Sequence, residues 1–519
     1  MNVPTKLYLC AAMACCGMIS ARSAVPERFA DSVRMDEVIV TGSRPAVNLR
    51  NLPMSVSVVE ERQIERRFEP SLLPVLTEQV PGLFITGRGV MGYGVAAGAA
   101  GGMKIRGVGS EPTSGVLVLI DGHPQYMGLM GHPLADSYQS MNAERVEVVR
   151  GPASILYGSN AMGGVVNIIT KKGQADGVYN TARLMYGSFN TLNVEVSNAV
   201  RKGKFNSFAA LNYSRTDGHR KNMGFGGWGG YLKLGYDFTA HWKAFADVNL
   251  NHFAASNPGS VTAPLIDNDA LITRGMTSFS LDNRYERTSG SLKFFYNFGY
   301  HKIDDGHSPG QPSPDYRFRS RHRLLTGNQT TLGADYQRSG GRAWNRYPDR
   351  DEQLADKTLN DVAVYLNMQQ TLARWMTLNA GVRMDYNPHF GAQWVPQFGI
   401  SFPIAPETVL KAILSKGFRT PTIREMYMFP PQNPDLRPER LMNYEFSVTQ
   451  SFWQRKLSLS ANVYYLKGDN TIQAVFDGNR PINVNTGRIE NYGVELTARY
   501  RAVRSLAFSG NYSWLHMEY

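Results

Sequence analysis

The feature that most constrains this chain is an alternation of apolar and polar residues that recurs from about residue 180 onward. In segments of about ten residues, successive positions switch between apolar and polar, which is the side-chain period of a β-strand. Charges stay on one face of these segments. The pattern therefore favours an antiparallel transmembrane β-barrel over a soluble sandwich, whose strands also alternate. In one such segment Met376, Leu378, Ala380, Val382, Met384 and Tyr386 alternate with Thr377, Asn379, Gly381, Arg383 and Asp385.

Composition supports the same fold class. The chain contains 50 Gly, 26 Tyr and 24 Phe, and its net charge is +12. Beyond its N-terminal segment it has no apolar run near the roughly 20 residues that a membrane-spanning helix requires. Between residues 174 and 519 we count roughly 16 or 17 strand-like segments, separated by turn signals that include Gly340-Gly341.

The N-terminus predicts export. An early lysine, the apolar stretch 7–19 and the small-residue site 21–23 are typical of a signal peptide over residues 1–23. A lipoprotein signal that uses Cys15 or Cys16 is the alternative. Every cysteine of the chain falls in this segment, so the mature protein has no disulfide framework, thiolate metal site or cysteine nucleophile. These cysteines are Cys10, Cys15 and Cys16.

Residues 145–170 carry the most specific motif. Val146, Val148 and Val149 form a β-prone stretch that Gly151-Pro152 ends, and one or two helical turns follow. The pair Gly163-Gly164 then allows the chain to turn back into a fully apolar strand. The run therefore predicts a strand, a turn, a short helix, a glycine-rich turn and a second strand.

This run resembles the end of the plug domain of TonB-dependent outer-membrane receptors. Residues 104–107 and 116–122 resemble earlier plug landmarks, in the order of the family. Residues 417–421 and 433–439 resemble barrel signatures, whose implied role is to shape a long outer loop. The resemblance implies an all-β membrane protein, in which an N-terminal α/β plug domain fills the lumen of the barrel.

The resemblance also implies a division of the chain. We expect a signal peptide over 1–23, a periplasmic segment over 24–50, the plug over 51–173 and the barrel over 174–519. The family closes its barrel with about 22 strands, which is more than we count here. We therefore expect a barrel that lacks about five strands at its C-terminus, with a smaller complete barrel as the alternative.

A short segment before the plug resembles the TonB box of the family. It is a compact β-prone stretch, which suits pairing as an added strand with the sheet of the energising protein. The other interpretation is an ordinary edge strand. The predicted TonB box consists of Asp36, Glu37, Val38, Ile39, Val40, Thr41 and Gly42.

The loop after the predicted strand 116–122 is the candidate plug apex. The residues that we expect to contact ligand are His123, Gln125, Tyr126, Met127, Met130 and His132. Within this loop His123, Met127, Met130 and His132 are also weak candidates for soft ligands to copper. The alternative is a Gly/Pro-punctuated loop whose Met and Tyr side chains pack against the barrel wall.

Charged residues on the plug strands form a second candidate group. Paired with barrel charges such as Arg383 and Glu495, they would hold the plug in the lumen and release on ligand or TonB engagement. Alternatively, they are solvated and contribute little. The group consists of Arg106, Glu144, Glu147 and Arg150.

The resemblance implies TonB-coupled import across the outer membrane, most commonly of a ferric siderophore. Haem, cobalamin and copper are alternative cargoes, and a passive porin or a surface binding protein are rival functions. The expected partners are TonB with its inner-membrane energising complex, a metal chelate or other small molecule, and outer-membrane lipid and lipopolysaccharide. No basic stripe suggests nucleic acid. The sequence shows no catalytic constellation. The G-x-G-x-x-G match at 87–92 does not indicate a cofactor site, because it lacks a preceding strand and a following helix.

Overall fold

The fold was obtained as a computed structural model. Backbone alone is described for 37–38, 47–48, 313–322, 346, 373 and 477. The residues described in full are 52–87, 102–109, 114–262, 264–265, 268–303, 328–345, 349–372, 375–428, 431–476, 478, 480–503 and 505–518.

The N-terminal part contains nine short strands and three helices among the described residues. The strands are β1 (Glu37–Val38), β2 (Val47–Asn48), β3 (Ser55–Glu60), β4 (Leu83–Ile85), β5 (Met103–Ile105), β6 (Val116–Ile120), β7 (His123–Pro124), β8 (Ala143–Arg150) and β9 (Gly164–Thr170). The α-helices are α1 (Glu61–Glu65), α2 (Leu72–Gln79) and α3 (Ser154–Tyr157), and single 3₁₀ turns cover Ala135–Ser137 and Ser140–Asn142.

A five-stranded mixed sheet in the order β3-β8-β9-β6-β7 organises this part. Strands β6 and β9 are parallel, and both are apolar along most of their length because both of their faces are covered. Leu72, Leu73 and Leu76 of α2 pack into the same apolar core. The predicted succession over 145–170 is confirmed, since β8, α3 and β9 follow one another there.

The rest of the chain forms one 17-stranded antiparallel sheet, in which every strand pairs with its neighbours in the sequence. This number agrees with the 16 or 17 segments that the sequence predicts. The strands are β10 (Gly177–Gly187), β11 (Thr191–Lys202), β12 (Phe205–Thr216), β13 (Phe225–Asp237), β14 (Trp242–Ser256), β15 (Asp269–Arg284), β16 (Thr288–Ile303), β17 (Ser313–His322), β18 (Asn328–Arg346), β19 (Asp351–Ala373), β20 (Met376–Asn387), β21 (Gly391–Ala405), β22 (Thr408–Arg419), β23 (Glu439–Phe452), β24 (Leu457–Asp477), β25 (Arg480–Val503) and β26 (Leu506–Glu518).

The alternation in sequence becomes an inner and an outer face of this sheet. In β20 the polar residues Thr377, Asn379 and Arg383 are buried on the inner face, whereas Val382 and Tyr386 are exposed on the outer face. The expected fold is therefore confirmed: an α/β plug lies within the curve of an antiparallel barrel sheet. Strands β10 and β26 form the two ends of the sheet, and they do not pair with each other in the described part of the chain.

The outer face carries exposed aromatic side chains near strand ends, as expected for rings at a membrane interface. In the described part of the chain, no helix is both long and apolar enough to cross a membrane. The exposed aromatic residues near strand ends include Tyr186, Trp228, Tyr300, Trp375, Tyr386, Tyr500 and Trp514.

Candidate functional site: the interface between plug and barrel

The predicted apex loop lies between the plug sheet and the barrel wall. Four of its six candidate residues, His123, Gln125, Met127 and His132, are buried, and the other two are half-buried. His123 lies edge-on to two barrel aromatics, with ring centroids 6.2 Å from Phe245 and 5.5 Å from Phe295. The remaining candidates, Tyr126 and Met130, retain part of their exposure.

The two histidines of the loop contact different parts of the wall. The ring of His132 faces His301 at a centroid distance of 6.1 Å, whereas His123 contacts Phe295. Phe295 and His301 are six positions apart on β16, a separation of about 20 Å at the rise of a β-strand. This conformation does not bring His123 and His132 together as ligands of one metal. Among the described residues, no group of three or more His, Cys, Asp or Glu side chains could hold a metal ion.

The tip of the apex loop is covered by the loop between β22 and β23. The backbone N–H of Arg424 donates to the Leu129 carbonyl at 2.9 Å, and Leu129 packs with Ile423 and Met428. These residues belong to a short π-helix over Arg424–Met428 and the turn before it. An outer-loop segment therefore closes over the plug apex.

This covering segment is braced by charges. The Arg419 guanidinium contacts Glu439 through Nε at 2.5 Å and Glu425 through Nη1 at 2.8 Å. The Thr422 N–H and hydroxyl both donate to Glu425 at 2.8 Å. The two signatures at 417–421 and 433–439 are thus joined by one buried arginine.

One sequence interpretation in this region is wrong. Gly340-Gly341 was expected in a turn, but both residues lie inside strand β18. A Cβ built on Gly128 of the apex loop would overlap the backbone of Gly340, so the plug backbone lies directly against this strand. A Cβ on Gly340 would instead meet the Lys357 carbonyl and Thr358 of β19, so its missing side chain makes room within the sheet, which is a known role of glycine within strands.

Tyr126 faces a polar cavity between the plug and the wall. Asn160 of the plug lines it, together with Asp335, Asp361 and Asp385 of the barrel. Of the predicted contact residues, Tyr126 and Gln125 line cavities, whereas Met127 is packed away from open space.

Arg106 forms the most extensive contact of the predicted plug charges. It adopts a left-handed backbone conformation (φ +53°) in the turn after β5, and its side chain is fully buried. Nη1 lies 2.7 Å from Glu445 and Nε lies 2.9 Å from Glu495, while the guanidinium stacks 4.3 Å from the Tyr464 ring centroid. Burial alone would lower the pKa of Arg106, but the two carboxylates more than offset it and hold the pKa above its usual value.

A second plug arginine joins this group. Arg150 also pairs with Glu495, and Ser55 of β3 donates to Glu445. We call Arg106, Arg150, Glu445 and Glu495 the Arg106 cluster. It joins the plug to β23 and β25, and a buried pair of this kind is strongly destabilised when one partner is removed.

The other predicted charges pair elsewhere. Glu144 and Glu147 both contact Arg145 within the plug, at 3.2 Å and 3.0 Å. In the barrel, Arg383 pairs with Asp335 at 2.7 Å and Asp385 at 2.6 Å. The structure therefore joins Arg106 and Arg150 to Glu495 and gives Arg383 two barrel partners.

The sequence did not single out a second ionic contact between plug and wall. Lys233 of β13 contacts the Asp121 carboxylate at 2.6 Å, and the Thr170 hydroxyl donates to the same oxygen at 2.6 Å. Burial would raise the pKa of Asp121, but Lys233 and these hydrogen bonds hold it well below its usual range. In the sequence, the signal for this ion pair is Asp121. Because Asp121 precedes Gly122, it is interpreted as a turn residue instead.

The predicted TonB box lies almost wholly outside the described residues. Only the backbone of Glu37 and Val38 is described, as β1 paired antiparallel with β2. The other predicted members, which lie outside the described residues, are Asp36, Ile39, Val40, Thr41 and Gly42.

Two family models match this architecture. The model described as TonB dependent receptor-like, beta-barrel matches residues 171–519, and the TonB-dependent Receptor Plug Domain model matches residues 48–165. The chain therefore belongs to the TonB-dependent receptor family, and it is an outer-membrane receptor of that family.

The curated relatives include a vitamin B12 transporter and an iron-regulated outer membrane protein. The chain is 25% identical over 492 residues to the vitamin B12 transporter BtuB of Photobacterium profundum, covering 91% of this chain and 77% of the relative. It is 25% identical over 544 residues to the iron-regulated outer membrane virulence protein of Vibrio cholerae, covering 94% and 79%.

Solved structures share the fold. The siderophore receptor PiuA of Acinetobacter baumannii superposes with a TM-score of 0.73 at 15% identity, covering 93% of this chain and 82% of that one. The siderophore receptor PirA of Pseudomonas aeruginosa gives 0.70 at 18% identity, with coverages of 89% and 84%.

Proposed function

We propose that this chain imports a ferric siderophore across the outer membrane, with energy supplied through TonB. The observation that carries the proposal is a plug that is held in the barrel by buried ion pairs and whose apex is covered at Leu129 by the segment 420–428. The names of the relatives support the cargo, since PiuA and PirA are siderophore receptors and one curated relative is iron-regulated.

In this proposal the apex of the plug receives the ligand. The segment 420–428 opens from Leu129, and the incoming chelate contacts the half-buried Tyr126 and Met130 first. The other candidates, His123, Gln125, Met127 and His132, become available only when the plug shifts, because they are buried in the closed structure. The proposal includes no catalysis and no resident cofactor.

Coupling to the inner membrane uses the N-terminal segment. We assign residues 36–42 as the strand that pairs with TonB, on the basis of their β-prone sequence and their place just before the plug. In this proposal, residues 1–23 are an export signal, 24–50 a periplasmic segment, 51–173 the plug and 174–519 the barrel. Outer-membrane lipid and lipopolysaccharide would surround the apolar outer face.

Cobalamin is the second candidate cargo. It is favoured by one observation, the 25% identity to a vitamin B12 transporter across 91% of this chain. Haem and copper remain further candidates from the sequence, and the copper hypothesis is weakened because His123 and His132 contact separate parts of the wall.

Uptake assays separate these functions. Cells that lack their own receptors and express this chain would be given ⁵⁵Fe-siderophores, radiolabelled cobalamin, haem or copper. We expect accumulation of a ferric siderophore that disappears when residues 36–44 are deleted. Accumulation of cobalamin alone would identify cobalamin as the cargo in place of a siderophore. Uptake that survives the deletion would indicate a passive porin. Surface binding without accumulation would indicate a binding protein.

A further inference from the structure

The inner face of β15 carries a buried arginine without an acidic partner. Arg106, Arg383 and Arg419 each contact two carboxylates, and Lys233 contacts Asp121. In contrast, Arg274 is 8% exposed and forms no ion pair or hydrogen bond with any residue that the structure describes. The lysine and arginine side chains buried to this degree in the described part of the chain are Arg106, Lys233, Arg274, Arg383 and Arg419.

A nearly buried cation that faces no carboxylate is less favourable than a paired one. Arg274, the exception among these five residues, is therefore the candidate for binding an anion from outside the described chain. Gly299, which faces Arg274 on β16, makes room for the guanidinium. A Cβ at Gly299 would lie 3.0 Å from Arg274 Cδ and 3.2 Å from Nη1.

Arg274 lines a small cavity between the plug and the wall. Ser137 and Tyr138 of the plug form one side, and Asn249 and Asn251 of β14 form the other. None of the residues that line this cavity is acidic, whereas three aspartates line the cavity beside Tyr126. The Ser137 hydroxyl is buried and has no hydrogen-bond partner among the described residues, so it can donate to a guest.

Two imidazoles lie alongside. His301 follows Gly299 by two positions on the same face of β16, which makes it a diagonal neighbour of Arg274. His132 of the plug faces His301, and no nitrogen of either ring has a hydrogen-bond partner among the described residues. Burial, together with the charges of Arg274 and Arg424, lowers the pKa of His132 to about 3. The same positive charges disfavour a metal cation between the rings.

We propose that Arg274 and Ser137, flanked by His132 and His301, bind a small oxyanion or a carboxylate group between plug and wall. Arg274 supplies the charge and a planar set of donors that suits such a group. Ser137 and the neutral imidazoles supply further N–H and O–H donors. The guest would contact plug and barrel together, and the site does not depend on which cargo is imported.

The guest could arrive as a free ion or as the carboxylate of a larger chelate. Purified protein in detergent would be titrated with inorganic phosphate, acetate and ferric citrate in a calorimeter. We expect phosphate and acetate to bind the wild type and to bind at least tenfold more weakly to Arg274→Met. Binding of ferric citrate alone, lost in the same variant, would assign the site to a chelate.

Two variants serve as comparisons. Arg284→Met removes the same charge from an exposed position on β15 and should bind phosphate like the wild type. Ser137→Ala should weaken binding severalfold, and it provides a test if Arg274→Met does not fold. Equal binding of every anion to wild type, Arg274→Met and Ser137→Ala would overturn the proposal.

Thermal unfolding provides an independent readout. Without added anion, Arg274→Met should unfold at or above the wild-type midpoint, because the variant removes an uncompensated charge. Phosphate should raise the midpoint of the wild type and leave that of the variant unchanged. A large loss of stability in Arg274→Met without added anion would show that the protein itself compensates the charge, and would contradict the proposal.

Discussion

The Arg106 cluster and the apex loop both join the plug to the barrel wall, but they do so by different interactions. In the cluster, two arginines meet two glutamates, so each buried charge has an opposite partner. At the apex, Leu129 packs against apolar residues, and His132 meets a second imidazole without hydrogen bonds to described residues.

This difference indicates which contact yields first. A satisfied buried ion-pair group depends on geometry and is insensitive to pH near neutrality. The apex depends on the packing of a loop and on histidines that must stay neutral. We therefore expect ligand to loosen the apex while the Arg106 cluster still holds the plug, so that release of the cluster requires the pull of TonB.

The largest effect should follow Arg106→Met. The change leaves Glu445 and Glu495 buried with fewer cations, and should reduce the stability of plug docking by about 3–5 kcal/mol. Hydrogen–deuterium exchange of residues 102–109 in increasing urea measures this loss. Arg66→Met, at an exposed plug position, is the control and should change little. Unchanged exchange in Arg106→Met would show that the cluster does not hold the plug.

Leu129→Ala tests the apex by packing alone. Leu129 is fully buried, and removing its side chain should cost about 3 kcal/mol at this contact. Faster exchange should appear in the apex loop and in residues 420–428, while residues 102–109 stay protected. Equal loosening of both regions would mean that the two contacts respond as one unit.

Asp121→Asn should weaken docking by about 2 kcal/mol, because it removes the charge that Lys233 contacts. Since the pKa of Asp121 is lowered in the folded protein, its contribution is complete above its usual value of about 4 and is lost as the pH falls through the lowered pKa. The difference between wild type and variant should thus be constant from pH 8 to 5 and shrink below pH 4. A difference that already shrinks at pH 6 would contradict this assignment.

His132 should make the stability of the apex contact depend on pH in a different range. Its pKa is lowered from 6.5 to about 3 in the folded protein, so stability falls as the pH drops below 6.5. At pH 5 the apex should be weaker by about 2 kcal/mol than at pH 7.5 in a buffer without added oxyanion. Exchange of residues 123–134 at the two pH values measures this, and His132→Phe should reduce the dependence, leaving the part that comes from the buried His301 beside it. The same pH dependence in His132→Phe would assign it to another group.

Much of the fold follows from local sequence signals. The period of 2 defines barrel strands because one face meets the plug and the lumen while the other faces lipid. The run over 145–170 is equally predictable, since its valines and paired glycines fix β8, α3 and β9. The turn predicted at Gly340-Gly341 is wrong because the contacts at Gly340, with Gly128 of the plug and with Lys357 and Thr358 of β19, involve residues remote in sequence.

The site was predictable only in part. Arg106, Arg150 and Glu495 follow from the general need to pair charges inside a lumen. The partners Glu445, Lys233 and His301 come from strands far along the chain, and only the register of the sheet places them opposite the plug. The sequence likewise does not show that Arg274 lacks an acidic partner, because the residues around it are determined by the fold.

The central claim is that import requires the plug to move relative to the wall. The hydroxyls of Ser159 in the plug and Thr420 in the barrel are 3.0 Å apart, so cysteines at both positions can form a disulfide across the interface. We predict that the oxidised Ser159→Cys/Thr420→Cys protein does not accumulate a ferric siderophore, and that a reductant restores uptake. Uptake at the wild-type rate by the fully oxidised protein would contradict the account.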